Sequence, residues 1–441
     1  MAKSLLMNLK LNLMILIMKT LSKQKKTALS CCSFKLGLCY LLLSFMMPIY
    51  LAYADELSGD LKLFHTMSGA PRGLDHLPST TSGALSSRLK FKQRWGSLQL
   101  EAHGLMSAFE ASSNSMSVFS LSPNLSTQSE ALPLSYALVQ DQGSQLLLRG
   151  DRLALSYEWS QYKLTLGRQV ISFGQGRAFT PLDRVNPFSP ATIDREYKPG
   201  VDALRLDGYW GIAGEWTLVV AQRTELKDSW SLDQSIFAAK IKDSLATWDI
   251  ALLTLAIQGD LVFGLSLAGP LAELNVYGDF SYTRRAQKGE RADYDQTLSL
   301  DPDFIRACAG FDWLWSIGGG GRINVEFAWL EDGAGKVDDY LRSASDPRVL
   351  SGERWLLAQS YASFSMQQAL TPLLNASVSS IINLKDTSAL LGPSLAWSIS
   401  DEASAVIGSY LGVGKGINEL TLQSELGTLS WLSFVMLSAY Y

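Results

Sequence analysis

Short stretches in which apolar and polar residues strictly alternate constrain this chain more than anything else in it. From Glu273, one set of alternate residues reads Glu273, Asn275, Tyr277, Asp279, Ser281 and the other Leu274, Val276, Gly278, Phe280, Tyr282. Farther on, Arg322, Asn324 and Glu326 alternate with Ile323, Val325, Phe327 and Trp329. Successive side chains on a strand point to opposite faces, so each stretch reads as a strand with one polar and one apolar face. The same pattern occupies Leu98 to Met106, Arg152 to Trp159, Leu204 to Trp210 and Arg306 to Trp315. Each is close to the ~9–11 residues a tilted strand needs to cross a bilayer, and after Asp55 no apolar run approaches the ~20 of a membrane helix.

Alternation alone also fits a soluble sandwich, and the connections separate the two readings. Tight links fall near Trp95 to Ser97, Ser160-Gln161, Gly211 to Gly214, Asp243 to Leu245, Gly269-Pro270, Gly318 to Gly321, Gln368 to Pro372 and Ser400 to Glu402. Most alternate with long polar links at Met67 to Gly83, Glu110 to Gln145, Gly174 to Gly200, Thr224 to Asp233, Arg285 to Asp303 and Glu331 to Gly352. Short turns on one rim and long loops on the other describe a transmembrane antiparallel β-barrel, all-β, with periplasmic turns and extracellular loops. Trp95, Trp159, Trp210, Trp313 and Trp397 lie near the short turns, and Trp329 and Trp355 flank a long loop, where two interfacial girdles belong. Eighteen strands result if Gly412 to Thr428 is one extracellular loop, with sixteen the alternative. An even count keeps both termini periplasmic, and a barrel this wide has room for an aqueous lumen.

Charge supports the placement. The first 54 residues hold seven lysines and no acid, so of 38 basic residues 31 remain against 42 acidic ones, a formal net charge of −11. That balance excludes a nucleic-acid binder. Lys23, Lys25, Lys26 and Lys35 precede the apolar run Leu36 to Met47, and Ala52-Tyr53-Ala54 follows. These are the three parts of a secretory signal peptide, so residues 1–54 are expected to be removed and the barrel to span 55–441. The apolar stretch Leu11 to Met18 leaves the start at Met1 or Met18 open. Cys31, Cys32 and Cys39 leave with the signal, and only Cys308 remains, on the face of Arg306 and Asp312 and therefore expected to be open to the lumen. The strand Leu429 to Tyr441 ends on an aromatic residue, which resembles the signal by which barrel-assembly machinery takes up its substrates.

Chemistry finds little support. His65, His76 and His103 are the only histidines, and none lies in a triad-like pattern. Gly412 to Gly416 fails as a phosphate loop because Ser409 stands where the first glycine is required and Gly416 follows the lysine. Acidic Glu331-Asp332 and Asp338-Asp339 read as solvated loop rather than as divalent-cation sites near lipopolysaccharide. No enzyme, cofactor or metal is expected.

The informative segment follows Leu164. Between two strands stand Pro181, Pro187, Pro190 and Pro199 together with Arg177, Asp183, Arg184, Asn186, Asp194, Arg195, Glu196 and Lys198. Prolines stiffen a loop and mixed charges keep it wet, so Gly174 to Gly200 is expected to fold inward and narrow the barrel. Arg168 falls on the lipid-facing parity of Leu164 and Leu166, where charge costs ~2–4 kcal/mol at midplane. A bulge at Gly167 is therefore expected to turn it inward, facing Arg205 and Asp207.

The run Gly167-Arg168-Gln169, Phe173-Gly174, Pro181-Leu182-Asp183 and Asn186-Pro187, followed by the strand Val201 to Leu206, resembles the porin-like outer-membrane proteins of proteobacteria, a broad group reaching distantly to alginate exporters. The motif covers under fifty residues. The resemblance implies a monomeric or trimeric channel for small hydrophilic solutes in the outer membrane of a Gram-negative bacterium, surrounded by lipid and lipopolysaccharide. The alternative is a specific transporter or exporter of a polymer or hydrophobic compound. The residues expected at the constriction are Arg168, Arg177, Asp183, Arg184, Asp194, Arg195, Glu196, Lys198, Arg205 and Asp207. Arg184 and Arg195 would attract anions, and Asp183 and Glu196 cations. Arg152, Glu273, Asp279, Arg306, Asp312, Arg322 and Glu326 would extend that field along the wall.

Overall fold

The computed structural model describes residues 55–441 apart from 113–129, 142, 189–191, 223–234, 258, 286–302, 351 and 419–420. The expected signal segment lies outside the described residues.

The chain runs through β1 (Glu56–Ser68), β2 (Thr80–Trp95), β3 (Leu98–Ala111), β4 (Ser135–Asp141), β5 (Ser144–Trp159), β6 (Tyr162–Gln169) and β7 (Val201–Trp210). It continues with β8 (Gly214–Gln222), β9 (Ser235–Leu245), β10 (Trp248–Ile257), β11 (Asp260–Leu271), β12 (Leu274–Arg284), β13 (Phe304–Trp315) and β14 (Gly321–Leu330). Then follow β15 (Ser360–Thr371), β16 (Leu374–Asn383), β17 (Ala389–Ser400), β18 (Ala403–Val413), the small pair β19 (Ile417–Asn418) and β20 (Thr421–Leu422), and β21 (Trp431–Tyr440). Every neighbouring pair is antiparallel, and β1 pairs with both β2 and β21, which closes the ring. β19 and β20 form their own hairpin and β4 stands outside the ring, so the barrel has eighteen strands.

Alternation sets the two faces. On β14, Phe327 and Trp329 are 56% and 45% exposed while Glu326 and Ala328, which alternate with them, are buried. Leu204 on β7, Leu252 on β10 and Leu395 on β17 likewise leave large apolar side chains uncovered on the outer face. A closed ring with such a belt has no unpaired edge to present to lipid, which is how strands span a membrane. Trp95, Trp159, Trp210, Trp313 and Trp397, next to the short turns, are exposed as well.

The short rim is built from tight turns that need positive φ, supplied by Gly96, Ser160, Gly211, Ala246 and Ala272. Two turns fall two or three residues beyond the sequence expectation, at 246–247 and 272–273, so Glu273 belongs to a turn and not to the wall. Gly269-Pro270 stays inside β11: pairing with β10 ends at Ala268, so the missing proline N–H breaks no bond to that neighbour. On the opposite rim two links are short rather than long, at 258–259 and 384–388.

β6 stops at Gln169, low in the wall, and the chain turns into the barrel there. β4 occupies the edge of β5 that β6 leaves uncovered, pairing with Ser144 to Arg149 while β6 pairs with Leu153 to Trp159.

Candidate functional site

The inward turn begins at Gly167, whose φ of +114° and close approach to the Leu153 carbonyl admit no Cβ. The expected bulge is not at Gly167, since β5 and β6 stay in register through Leu153↔Arg168. The extra residue is Asp151 on β5, inserted at the His103/Gly104 step of β3, so Asp151 and Arg152 are both buried. Arg168 is fully buried and takes both oxygens of Asp202, its register neighbour on β7, at 2.8 and 2.7 Å, and donates to the Gly150 and Leu132 carbonyls. It does not face Arg205 and Asp207. Those two pair with each other nearer the short rim, where Asp207 also accepts from Thr217 at 2.7 Å.

From there the loop is held to the wall in three ways. The first is apolar. The inner faces of β7 to β11 carry Val201, Ala203, Val219, Ala221, Ile236, Leu253, Leu255 and Val262, which open water would not tolerate. Ile171, Phe173, Leu182 and Val185 of the loop cover them. Each such side chain contributes about 1.5–3 kcal/mol when fully buried. Gly264 is the socket for Leu182, whose Cδ2 would stand 2.5 Å from an added Cβ.

The second is a set of backbone bonds to wall carboxylates. Asp279 on β12 accepts the N–H groups of Gln175 and Gly176 at 2.8 and 2.9 Å. Glu326 on β14 accepts those of Arg177 and Phe179 at 2.8 and 2.7 Å, and the Tyr277 hydroxyl at 2.7 Å. Bonds to a charged acceptor are the stronger kind, and here they turn wall charges into loop anchors. Cys308 does share the inner face with Arg306 and Asp312, but the segment Gly176 to Phe179 covers it: its thiol lies 3.5 Å from the Phe179 carbonyl and is buried. The expectation that Cys308 is open to the lumen is thereby overturned.

The third is ionic. Arg184 binds Glu353 at 2.6 Å and donates to Thr283 at 3.2 Å, with Asp260 at 3.6 Å. Asp183 ion-pairs with Lys198 and accepts from Ser172 at 2.9 Å, which fastens the outgoing limb of the loop to its returning limb. On the far side of the barrel, Lys62 of β1 holds Asp194 at 2.7 Å and Glu196 at 2.6 Å. Tyr197 lies under Arg88, 4.4 Å from the ring centre, and accepts from Lys90 at 2.8 Å. Burial tends to raise the Glu196 carboxyl, and its bond to Lys62 outweighs this and holds it below the usual range. The loop then returns to β7 past Arg152, which donates to the Lys198 carbonyl, and Asp151, which pairs with Arg88.

The sequence-derived set therefore divides. Arg168, Asp183 and Arg184 are buried struts, and Asp194 and Lys198 are largely covered. Arg177, Arg195 and Glu196 keep charge exposed. Arg177 lies 3.4 Å from Asp312, which also binds Arg322 at 2.6 Å. Arg195 is exposed and near Tyr410 of β18, and partial burial lowers its affinity for a proton. Sequence reading missed Lys62, Arg88, Asp151 and Tyr197. The signal for the first two was available, because Lys62 alternates with Leu61 and Leu63, and Arg88 with Leu89.

A second inward assembly stands above β13 to β16. Asp332 is neither solvated nor a cation site: Arg306 grips it at 2.9 and 2.7 Å, Arg348 lies at 3.2 Å, and Arg354 lies beside it. Burial would raise this carboxyl, and the three arginines hold it far below the ordinary range. Glu425, in the link between β18 and β21, accepts the Leu357 N–H and the Asn383 amide, both at 2.8 Å, and the Tyr361 hydroxyl. Burial pushes its carboxyl up to about 7. It joins the loop after β14 to the strands β15 and β16.

No model of a known protein family matches the chain, and no curated protein matches it. Solved structures do. The outer membrane protein opdK from Pseudomonas aeruginosa superposes with a TM-score of 0.51 at 8% identity, over 88% of this chain and 100% of that one. OccAB4 of Acinetobacter baumannii gives 0.50 at 9% identity, over 88% of this chain and 99% of that one. OccAB1 of the same organism gives 0.50 at 11% identity, over 89% and 98%. At such identities the likeness is one of fold: a closed antiparallel barrel of the kind found in outer-membrane proteins.

Proposed function

We propose that the chain is a porin-like channel of a Gram-negative outer membrane, not an enzyme, through which small hydrophilic solutes pass, with residues 174–200 setting its width. One observation carries the reading. A single loop lies across a closed eighteen-stranded ring, bonded to Asp279 and Glu326 on one side and to Lys62 on the other, while Arg177, Arg195 and Glu196 stay exposed. Fixed side chains at a narrow point select solutes by size and charge. A transporter of hydrophobic compounds would need an apolar path, and the apolar inner face of β7 to β11 is already filled by the loop.

The test is single-channel recording in planar bilayers. The intact barrel should conduct ions. Deleting Pro181 to Pro199, with a short Gly-Ser bridge, should raise conductance several-fold while the barrel still shows heat-modifiable migration. Absence of any conductance would remove the channel reading, and an unchanged conductance in a folded deletion would remove the loop from the constriction.

A further inference from the structure

Five neighbouring strands, β15 to β18 and β21, contain no Asp, Glu, Lys, Arg or His. Their inner faces are instead hydroxyl and aromatic. Ser365 and Ser379 are register partners, and the hydroxyls of Ser377 and Ser394 bond at 2.7 Å. Ser379 is exposed and the other three are partly so. Tyr410, partly exposed, stacks on the buried ring of Phe434 with centroids 5.9 Å apart and planes at 30°.

Two glycines let these rings lie against the wall. A Cβ on Gly392 would stand 2.9 Å from the Tyr410 ring, and one on Gly408 2.6 Å from Phe434. The Tyr410 ring thus adjoins the hydroxyl row instead of standing out from it, with Ser379 only 2.6 Å from the same Gly392 position. Ser363, on the same face of β15 and 6% exposed, has a buried hydroxyl with no hydrogen-bond partner among the described residues. A buried hydroxyl left this way costs about 1–3 kcal/mol unless something satisfies it.

A ring face beside a row of hydroxyls, on strands that carry no charge of their own and with Arg195 of the loop as the neighbouring charge, best matches one solute chemistry. A charged solute would give up hydration here and gain no opposite charge from these strands. A sugar ring has apolar C–H faces to lay on an aromatic ring and hydroxyls that exchange water for serine at little net cost. We infer that the wall from β15 to β18 is a binding track for uncharged saccharides, with Tyr410 as the stacking platform and Ser365, Ser377, Ser379 and Ser394 as the hydrogen-bonding partners. This rests on the channel reading above and names its solute class.

The experiment is sugar block of the single-channel ion current, with maltose and sucrose as probes and a poly(ethylene glycol) of equal hydrodynamic size as the control. The sugars should reduce the current saturably and the polymer should not. Tyr410→Ala should raise the half-blocking concentration at least tenfold, whereas Tyr410→Phe, which keeps the ring, should leave it within about twofold. Should Tyr410→Ala fail to fold, Ser379→Ala should still weaken block about threefold, the loss of one modest hydrogen bond. Equal effects of sugar and polymer, or undiminished block in Tyr410→Ala, overturn the saccharide track while the channel reading stands. A barrel with no ion current at all overturns both.

Discussion

The wall of this barrel has two arcs of opposite character. From β1 to β14 the inner face carries charge, including Lys62, Arg88, Asp151, Asp279, Arg306, Asp312 and Glu326, most of it buried, and is interrupted by the apolar stretch on β7 to β11 that the loop covers. From β15 through β18 to β21 there is no charge. The loop between β6 and β7 accounts for the difference. It makes carboxylate bonds to β12 and β14 and ion pairs to β1, whereas from the neutral arc Tyr361 packs on Phe179, the Tyr440 hydroxyl meets Glu196, and Tyr410 lies near Arg195. Interior charge in a barrel therefore need not mark the solute path. Here much of it fixes the loop that lies across the ring, and the strands without charge keep Ser379 exposed.

That contrast can be broken at its most distant anchor. Lys62 is buried against two carboxylates 132 and 134 residues away in sequence. Lys62→Met removes the cation from beside Asp194 and Glu196, and because Glu196 is partly solvated the cost falls below the ~3–5 kcal/mol of breaking a fully buried pair. The loop tip should come free of β1, seen as frequent conductance fluctuations and a lower thermal midpoint. The equivalent change on the neutral arc, Ser394→Ala, should alter neither by a comparable amount. Equal effects at the two sites would mean that the arcs do not differ in holding the loop.

A smaller effect should come from Glu425, which secures the loops above the neutral arc. Its folded-state affinity for a proton is raised to about 7 from an ordinary 4.5, chiefly by burial. The protonated form is thus favoured in the folded state, so its contribution is fully present below about pH 4.5 and is lost as pH rises toward 7. Amide protection factors in the link between β18 and β21, corrected for the base-catalysed rise of intrinsic exchange, should fall across that window, and Glu425→Gln should flatten the dependence. A slope that survives the substitution would assign it to another group.

Much of the barrel was legible because its signals are local. Alternation, tryptophans beside tight turns and a proline-rich link are all read within some ten residues. The misplaced turns show the limit: Ala246 and Ala272 adopt positive φ without a residue that advertises it, and Gly269-Pro270 looks like a turn but continues β11. The inward loop was recognisable from its prolines and mixed charges, but its anchoring was not. Which of Lys62, Asp279 and Glu326 meets which loop residue depends on where around the ring each strand falls, and the Asp151 insertion shifts that register on β5. Alternation placed Cys308 on the inner face, and nothing local said that residues over 120 positions earlier would lie on top of it.

The central claim is that the loop between β6 and β7 lies inside the barrel, with residues 175–179 against β12 to β14, and Cys308 reports on it directly. The measurement is the rate at which a small, water-soluble, membrane-impermeant thiol reagent labels Cys308 in intact, reconstituted protein, compared with a deletion of Gly174 to Pro199, which removes the Gly176 to Phe179 segment that lies over the thiol. The loop as described covers the thiol, so the intact protein should label slowly if at all and the deletion much faster. Rapid labelling of the intact barrel, equal to that of the deletion, would place the loop away from the wall and contradict the account.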